Sequence, residues 1–140
     1  ELLLEERELN VIFFFHPVEK KNNEDYVKAT KHYTSFFKNS SKISFAPAGE
    51  RTDTNFNSVD LAVIPVSNTI SERLFSGYKV LIVPFEHEHF PIANSTYSLI
   101  SANNKSEIIS KCGQFLQIST EEYFRKFKLQ NYRFSSFENT

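Results

Sequence analysis

Short apolar runs alternate along the chain with longer segments of helical character. The runs are four to six residues long and most are rich in β-branched or aromatic residues. This composition is typical of strands that are covered on both faces. The runs predict strands at residues 11–15, 43–47, 61–66, 79–83 and 97–100.

The segment 60–84 is the clearest unit in the pattern. A short helix is predicted between its two strands, because Thr69 and Glu72 have capping-box spacing, in which each side chain accepts a backbone N–H. Gly77 follows where a left-handed helix stop is needed. A strand, a helix and a second strand in this order predict a parallel βαβ unit.

Other segments have the spacing of amphipathic helices. Asn22 or Asn23 is placed to cap one of them, and Ser119 or Thr120 is placed to cap another. A brief helical turn is expected near residues 56–59. The longer helices are predicted at residues 1–9, 24–38, 105–116 and 121–129.

The alternation of strands and helices favours a parallel sheet with helices on both of its faces. We therefore predict an α/β fold class, with a Rossmann-like three-layer α/β/α arrangement and a mostly parallel sheet. A length of 140 residues suits a single domain, so residues 1–140 are expected to form one. Residues 130–140 have no clear period and are expected to fray.

Composition narrows the class of protein. Sixteen basic and seventeen acidic residues give a net charge of −1, without a basic stripe, so nucleic acid is not an expected partner. The apolar runs are too short to form a transmembrane segment, and the chain does not start with a secretion signal. The single cysteine, Cys112, suits a reducing cytoplasm and is expected to be a buried hydrophobe.

Two features suggest a piece of a longer protein. The chain contains no methionine and begins with Glu1, so we expect a fragment or a processed chain. Fifteen phenylalanines against three glycines indicate a packed domain rather than a linker.

Polar side chains follow three of the predicted strands. His16 comes after the first strand, Glu50 and Asp53 lie in the loop after the second, and Ser67-Asn68-Thr69 follows the third. Ligands of open α/β sheets bind at the carboxyl ends of strands, and helix N-termini there suit phosphate. A phosphate site is therefore predicted at this edge, although a capped helix and a strand-end histidine would explain the same residues.

Glu72 has two possible roles. Its carboxylate is placed to accept a hydrogen bond from a ribose hydroxyl, or to complete the capping box with Thr69.

The segment Glu86-His87-Glu88-His89 is a competing site, because alternating histidines and carboxylates suit a divalent metal. In an extended segment, however, only two of these side chains share a face. We expect an acidic loop beside the pocket and no metal site.

These residues resemble a known family. The apolar strand that ends in His16-Pro17, and the pattern Ser67-Asn68 with Glu72, Gly77 and Val80 at fixed spacing, resemble the C-terminal, nucleotide-binding half of bacterial GT-B glycosyltransferases. Within that family the residues resemble the sialyltransferase and polysialyltransferase group, capsule-export-linked transferases and polyol-phosphate polymerases. Ser67-Asn68-Thr69 stands where that family has Ser-Ser or Ser-Thr. The resemblance covers about residues 9 to 110.

The resemblance implies a function in bacterial surface polysaccharide or lipooligosaccharide synthesis. His16 would be the catalytic residue that stabilises the leaving phosphate, and His16, Pro17, Ser67, Asn68, Thr69 and Glu72 would bind the donor nucleotide, with weaker roles for Glu50 and Asp53. The donor would be a nucleotide sugar, for example a CMP-linked one, and no metal or other cofactor is expected.

The partners implied are a glycan acceptor and an N-terminal domain that carries the general base. The chain alone would then bind nucleotide without transferring sugar. The full protein is expected in the cytoplasm, at the inner face of the membrane.

Two alternatives stay open. A non-catalytic Rossmann-like module for protein interaction would use the many phenylalanines, including Phe134 and Phe137, as an interface. A flavodoxin-like or receiver-type domain would have an acidic cluster at the first strand's end, where this chain has His16-Pro17.

Overall fold

The structure, a computed structural model, describes residues 9–15, 17–37, 40–84 and 95–133. In these ranges the chain is a mixed α/β protein with short pairs of parallel strands and five α-helices. It divides into two compact units, Glu1–Thr52 and Asp53–Thr140. No helix in the described ranges is long and apolar enough to cross a membrane.

The first unit contains one parallel strand pair and one long helix. Strand β1 (Val11–Phe13) pairs in parallel with strand β2 (Ile43–Phe45), and helix α1 (Asn23–Thr34) lies between them in the chain. The helix begins after Asn22, whose side-chain oxygen accepts a hydrogen bond from the Asp25 N–H at 2.8 Å. The prediction that Asn22 or Asn23 caps this helix is thereby confirmed, with Asn22 in that role.

Aromatic rings form the interior of the first unit. The ring of Phe13 stacks on the rings of Tyr33 and Phe45, each at 5.3 Å between centroids. Phe15 packs beside Tyr26 and Tyr33 at 5.6 and 5.4 Å. Rings at these separations contribute about 1 kcal/mol per pair beyond the area that they bury. Packing of α1 on the strands therefore depends on aromatic contacts, since no residue of α1 itself is fully buried.

The second unit contains the predicted βαβ arrangement. Strand β3 (Ala62–Ile64), helix α2 (Thr69–Phe75) and strand β4 (Val80–Ile82) follow one another, and the two strands pair in parallel. Each strand is shorter than its apolar run. The prediction that both strands are covered on two faces is correct for β4, whose three residues are fully buried, and wrong for β3, where Val63 is 52% exposed.

Helix α2 ends as predicted but does not begin as predicted. Gly77 has φ +89°, and its N–H donates to the Leu74 carbonyl at 2.9 Å, so the left-handed stop is confirmed. The capping box is wrong, because Asn68 is the residue that precedes the helix and its side chain makes no capping bond. Asn68 has helical backbone angles, whereas a side-chain cap requires an extended residue there.

Alanine in place of Gly77 is expected to lower the free energy of unfolding by about 1–2 kcal/mol, because L-residues pay that amount in the left-handed region. The added Cβ would also meet the Arg133 guanidinium at 3.3 Å. Gly49→Ala is the matched control, since a Cβ there has no atom within 4 Å and the backbone angle is an ordinary one. Urea unfolding of both variants measures the difference. Equal stabilities would contradict the role given to Gly77.

The predicted last strand at residues 97–100 is wrong. Helix α3 (Ser95–Leu99) occupies this segment, and the extended contact comes one residue later, where Ser101 forms a parallel bridge with Ile82. The Ile82 N–H donates to the Ile100 carbonyl at 2.8 Å, and the Ala102 N–H donates to the Ile82 carbonyl at 2.9 Å. Strand-like pairing therefore follows a helical turn that the apolar pattern did not reveal.

Two helices complete the described part of the second unit. Helix α4 (Lys105–Gln117) agrees closely with its prediction and buries Cys112, as expected. Helix α5 (Thr120–Lys126) is capped by Ser119, whose hydroxyl accepts the Glu122 N–H at 3.1 Å. It ends earlier than predicted, and Lys128 then takes a positive φ of 57°.

Several predictions fall outside the described residues. They concern most of the first predicted helix (residues 1–8), the loop after the fourth predicted strand (residues 85–94) and the end of the chain (residues 134–140). The prediction of a single domain and a frayed tail stays a prediction.

Candidate functional site

The connection from β3 to α2 carries the predicted Ser67-Asn68-Thr69 segment. Ser67 and Asn68 are exposed and Thr69 is half-buried, at the carboxyl end of a parallel strand. The Thr69 N–H donates to the Ser67 hydroxyl at a long 3.3 Å, and the Ile70 N–H donates to the Ser67 carbonyl, also at 3.3 Å. These long contacts fix the turn while leaving the Ser67 and Asn68 side chains facing solvent.

Glu72 lies one turn further along α2. Its N–H donates to the Asn68 carbonyl at 3.2 Å, and its own carbonyl accepts from the Ser76 hydroxyl at 2.9 Å. The carboxylate is exposed and makes no hydrogen bond within the described ranges. Of its two predicted roles, the capping role is therefore wrong, and the carboxylate is accessible to a ligand.

The first unit holds the other predicted residues. Pro17 begins a 3-10 helix, Pro17–Lys20, after β1, while His16 lies outside the described residues. Glu50 closes a turn after β2, where its N–H donates to the Pro47 carbonyl at 3.0 Å. The Lys20 ammonium donates to the Glu50 carbonyl at 3.1 Å and joins these two segments. Sequence reasoning missed Lys20, although it follows Pro17 by three positions.

The predicted residues are thus distributed between the units. His16, Pro17 and Glu50 belong to the first unit, and Ser67 to Glu72 belong to the second. Asp53 lies in the 3-10 helix Thr52–Ser58, and its backbone alone is described. In the first unit Pro17 and Glu50 follow the parallel strands β1 and β2, and in the second unit Ser67 to Thr69 follow β3. Asp53 lies instead on the segment that leads into β3.

Arg73 is a buried anchor beneath α2. Its side chain is 1% exposed and donates three hydrogen bonds to backbone carbonyls: Nε to Lys79 at 2.8 Å, Nη1 to Phe56 at 2.9 Å and Nη2 to Val59 at 2.7 Å. The rings of Phe56 and Tyr78 lie 5.7 and 5.3 Å from the guanidinium carbon. Burial lowers the pKa of Arg73 to about 10. Arg73 thus ties α2 to the segments that enter both β3 and β4.

Two further buried polar groups hold β4 in place. The Lys79 ammonium donates to the Phe115 and Ile118 carbonyls at 2.7 and 2.8 Å, which satisfies the C-terminal end of α4. The Tyr123 hydroxyl donates to the Val80 carbonyl at 2.5 Å and accepts the Val80 N–H at 3.1 Å. Burial lowers the pKa of Lys79 and raises the pKa of Tyr123. Both groups act in the scaffold.

A metal site is not formed by the residues that the structure describes. No group of three or more His, Cys, Asp or Glu side chains lies close enough together in these ranges to hold an ion. The Glu86–His89 segment lies outside them.

An open hollow of about 360 Å³ lies at the start of α5. Its charged side chains already have partners, because Glu122 pairs with Arg125 and Glu121 pairs with Arg133. This hollow therefore lacks the converging polar groups of a ligand site. It is lined by Ser119, Glu121, Glu122, Phe124, Arg125 and Gln130.

Comparison with known proteins gives no relative: no protein-family model, no curated protein and no solved structure matches the chain.

Proposed function

We propose that the chain is the donor-nucleotide-binding half of a bacterial GT-B glycosyltransferase that uses a nucleotide sugar. The observation that carries the proposal is the exposed pair Ser67 and Asn68 at the carboxyl end of β3, inside a parallel βαβ unit. Open α/β sheets bind nucleotides at such strand ends. The parallel pairing in both units also supports the three-layer Rossmann-like arrangement that this function implies.

The chemistry proposed is displacement at the anomeric carbon of the donor sugar. The bond from that carbon to the donor phosphate breaks as the acceptor hydroxyl attacks, and negative charge develops on the departing phosphate. The resemblance assigns the stabilisation of this charge to His16, which precedes Pro17, and it assigns the binding of the donor phosphate to the Ser67 and Thr69 hydroxyls. These contacts need no metal ion.

Glu72 would recognise the nucleoside, because its exposed carboxylate would accept a hydrogen bond from the ribose. A general base and an acceptor site would come from a second domain, as the resemblance implies. The products would be surface polysaccharide or lipooligosaccharide, made on the cytoplasmic side of the membrane.

A calorimetric titration with CMP, UDP and GDP tests the proposal. We expect one nucleotide to bind saturably, and we expect Ser67→Ala and His16→Ala each to weaken this binding by roughly tenfold to a hundredfold, the usual loss for a hydrogen bond to a charged group. Ser110→Ala and His32→Ala are the matched controls, because both residues are exposed and lie within helices. A folded wild-type protein that binds none of the three nucleotides would overturn the proposal.

Exposed apolar side chains favour the second candidate function, a protein-interaction module. In the second unit Val63 is 52% exposed, Phe75 is 49% exposed and Leu99 is 44% exposed. Large exposed apolar groups are often found at interfaces. This function would be favoured if the protein binds no nucleotide but associates with another protein, and if Val63→Asp abolishes that association.

A further inference from the structure

We propose that Lys20 binds the anionic group of the ligand, a phosphate, at the carboxyl end of the β1–β2 pair. The Pro47–Glu50 turn forms the other side of this site. Identification of the anion as a nucleotide phosphate rests on the proposed function, whereas the anion site itself does not.

The geometry places Lys20 where the chain leaves both strands. After β1 the chain enters the 3-10 helix Pro17–Lys20, and after β2 it makes the Pro47–Glu50 turn, closed at 3.0 Å. The Lys20 ammonium donates to the Glu50 carbonyl at 3.1 Å. Since β1 and β2 are parallel, both segments leave from the edge of the strand pair at which α/β proteins bind ligands.

The Lys20 ammonium group is fixed by a hydrogen bond, but no ion pair described in the structure neutralises its charge. An ammonium group has three N–H donors, and the one hydrogen bond described for Lys20 goes to a neutral carbonyl. Neither ion pair found in the described ranges involves Lys20. The neighbouring Glu19 carboxylate accepts a hydrogen bond from the Tyr33 hydroxyl at 2.7 Å. Lys20 is half-buried and is fixed by one carbonyl, so its ammonium group keeps N–H donors for an anion. Hydrogen bonds between an ammonium group and an anion are strong because both partners are charged.

The turn beside Lys20 leaves room for a ligand. A Cβ placed on Gly49 would have no atom within 4 Å, and the Gly49 backbone angle is one that any residue adopts. Neither packing nor backbone conformation therefore requires glycine at this position. A glycine there allows a ligand to approach the backbone of the turn closely.

The test compares Lys20→Gln, Lys20→Arg and Gly49→Ala with the wild-type protein in titrations with CMP, UDP, GDP and inorganic pyrophosphate. Lys21→Gln is the matched control, because Lys21 is the adjacent, exposed lysine. We expect Lys20→Gln to weaken binding about tenfold or more, and Lys20→Arg to retain most of it. Gly49→Ala should keep the fold and weaken binding. Added salt should weaken wild-type binding more than that of Lys20→Gln.

Two of the outcomes distinguish failure of this inference from failure of the proposed function. If a nucleotide binds and Lys20→Gln behaves like Lys21→Gln, the role of Lys20 is wrong while the donor-domain function stands. If pyrophosphate alone binds and depends on Lys20, the anion site stands and the nucleotide function is wrong. If the folded protein binds neither, both are overturned. Should Lys20→Gln fail to fold, Lys20→Arg and Gly49→Ala decide the case, and unchanged binding by Gly49→Ala would refute the site.

Discussion

Replacement of Arg73 by methionine is expected to lower the free energy of unfolding by about 3–5 kcal/mol, because three backbone carbonyls lose their donor and each buried acceptor left unsatisfied costs about 1–3 kcal/mol. The change keeps an apolar side chain of similar length but removes all three donors. It leaves the carbonyls of Phe56, Val59 and Lys79 without the guanidinium that they share. Urea unfolding followed by circular dichroism gives the measurement.

Two further variants show whether the fork shape of the guanidinium matters. Arg73→Lys keeps the positive charge but cannot donate in three fixed directions, so we expect it to recover less than half of the loss. Arg125→Met removes an arginine whose side chain is 71% exposed and whose ion pair with Glu122 lies at the surface, so it should cost less than about 1 kcal/mol. If Arg73→Met is at least as stable as Arg125→Met, the role of Arg73 as the anchor of α2 is contradicted.

Replacement of Tyr123 by phenylalanine is expected to lower the free energy of unfolding by about 2–4 kcal/mol at neutral pH, because two buried backbone groups lose their hydrogen-bond partner at once. The Tyr123 hydroxyl serves both the N–H and the carbonyl of Val80, and both residues are fully buried. Tyr78→Phe is the matched control. It keeps the ring that contacts Arg73 and removes a hydroxyl for which no hydrogen bond is described.

Tyr123 also makes the free energy of unfolding depend on pH, and the sign of this dependence follows from its pKa. Burial raises the pKa of Tyr123, so the folded state keeps the phenolic proton at pH values where an unfolded tyrosine, with a pKa of about 10, releases it. The folded state then binds more protons, and the free energy of unfolding falls as pH rises above about 10. Tyr33, whose pKa is raised chiefly by its hydrogen bond to Glu19, contributes in the same direction.

Unfolding measured at pH 7 and again above pH 10 separates the two tyrosines. In Tyr123→Phe the free energy of unfolding should fall less with rising pH than in the wild-type protein. The decrease that remains is the contribution of Tyr33. Absorbance of the tyrosinate ion should show Tyr123 still protonated in the folded wild-type protein at pH values where an unfolded tyrosine has ionised. A slope that is unchanged in Tyr123→Phe would show that the hydroxyl is not buried as described.

Local signals predicted much of the second unit. The apolar run before Pro65, the glycine at position 77 and the run that starts at Lys79 were sufficient to predict a strand, a helix stop and a parallel partner strand. These signals succeed because they depend on backbone conformation and side-chain periodicity over a few residues. The helix caps at Asn22 and Ser119 were predicted for the same reason.

Other features depended on partners that are distant in the sequence. The segment 97–100 is apolar enough for a strand, yet it is helical, and the sheet contact of Ile82 falls at Ser101. Apolar periodicity cannot distinguish these outcomes over four residues. The capping box at Thr69 was wrong because the backbone already has helical angles at Asn68, one residue before the predicted cap.

The sequence by itself determined the α/β class, the parallel βαβ unit and the polar residues that follow each strand, because strand runs, turn residues and glycine act locally. Only the tertiary structure decided which polar residues are anchors and which face solvent. Arg73 and Lys79 look like surface cations in the sequence, but each is buried and donates to carbonyls that no local pattern identifies. Lys20 is the reverse case, a lysine that is fixed at the proposed anion site because the chain returns to it 30 residues later at Glu50. A hydrogen bond of this kind depends on where two distant segments meet in space, and the fold alone brings them together.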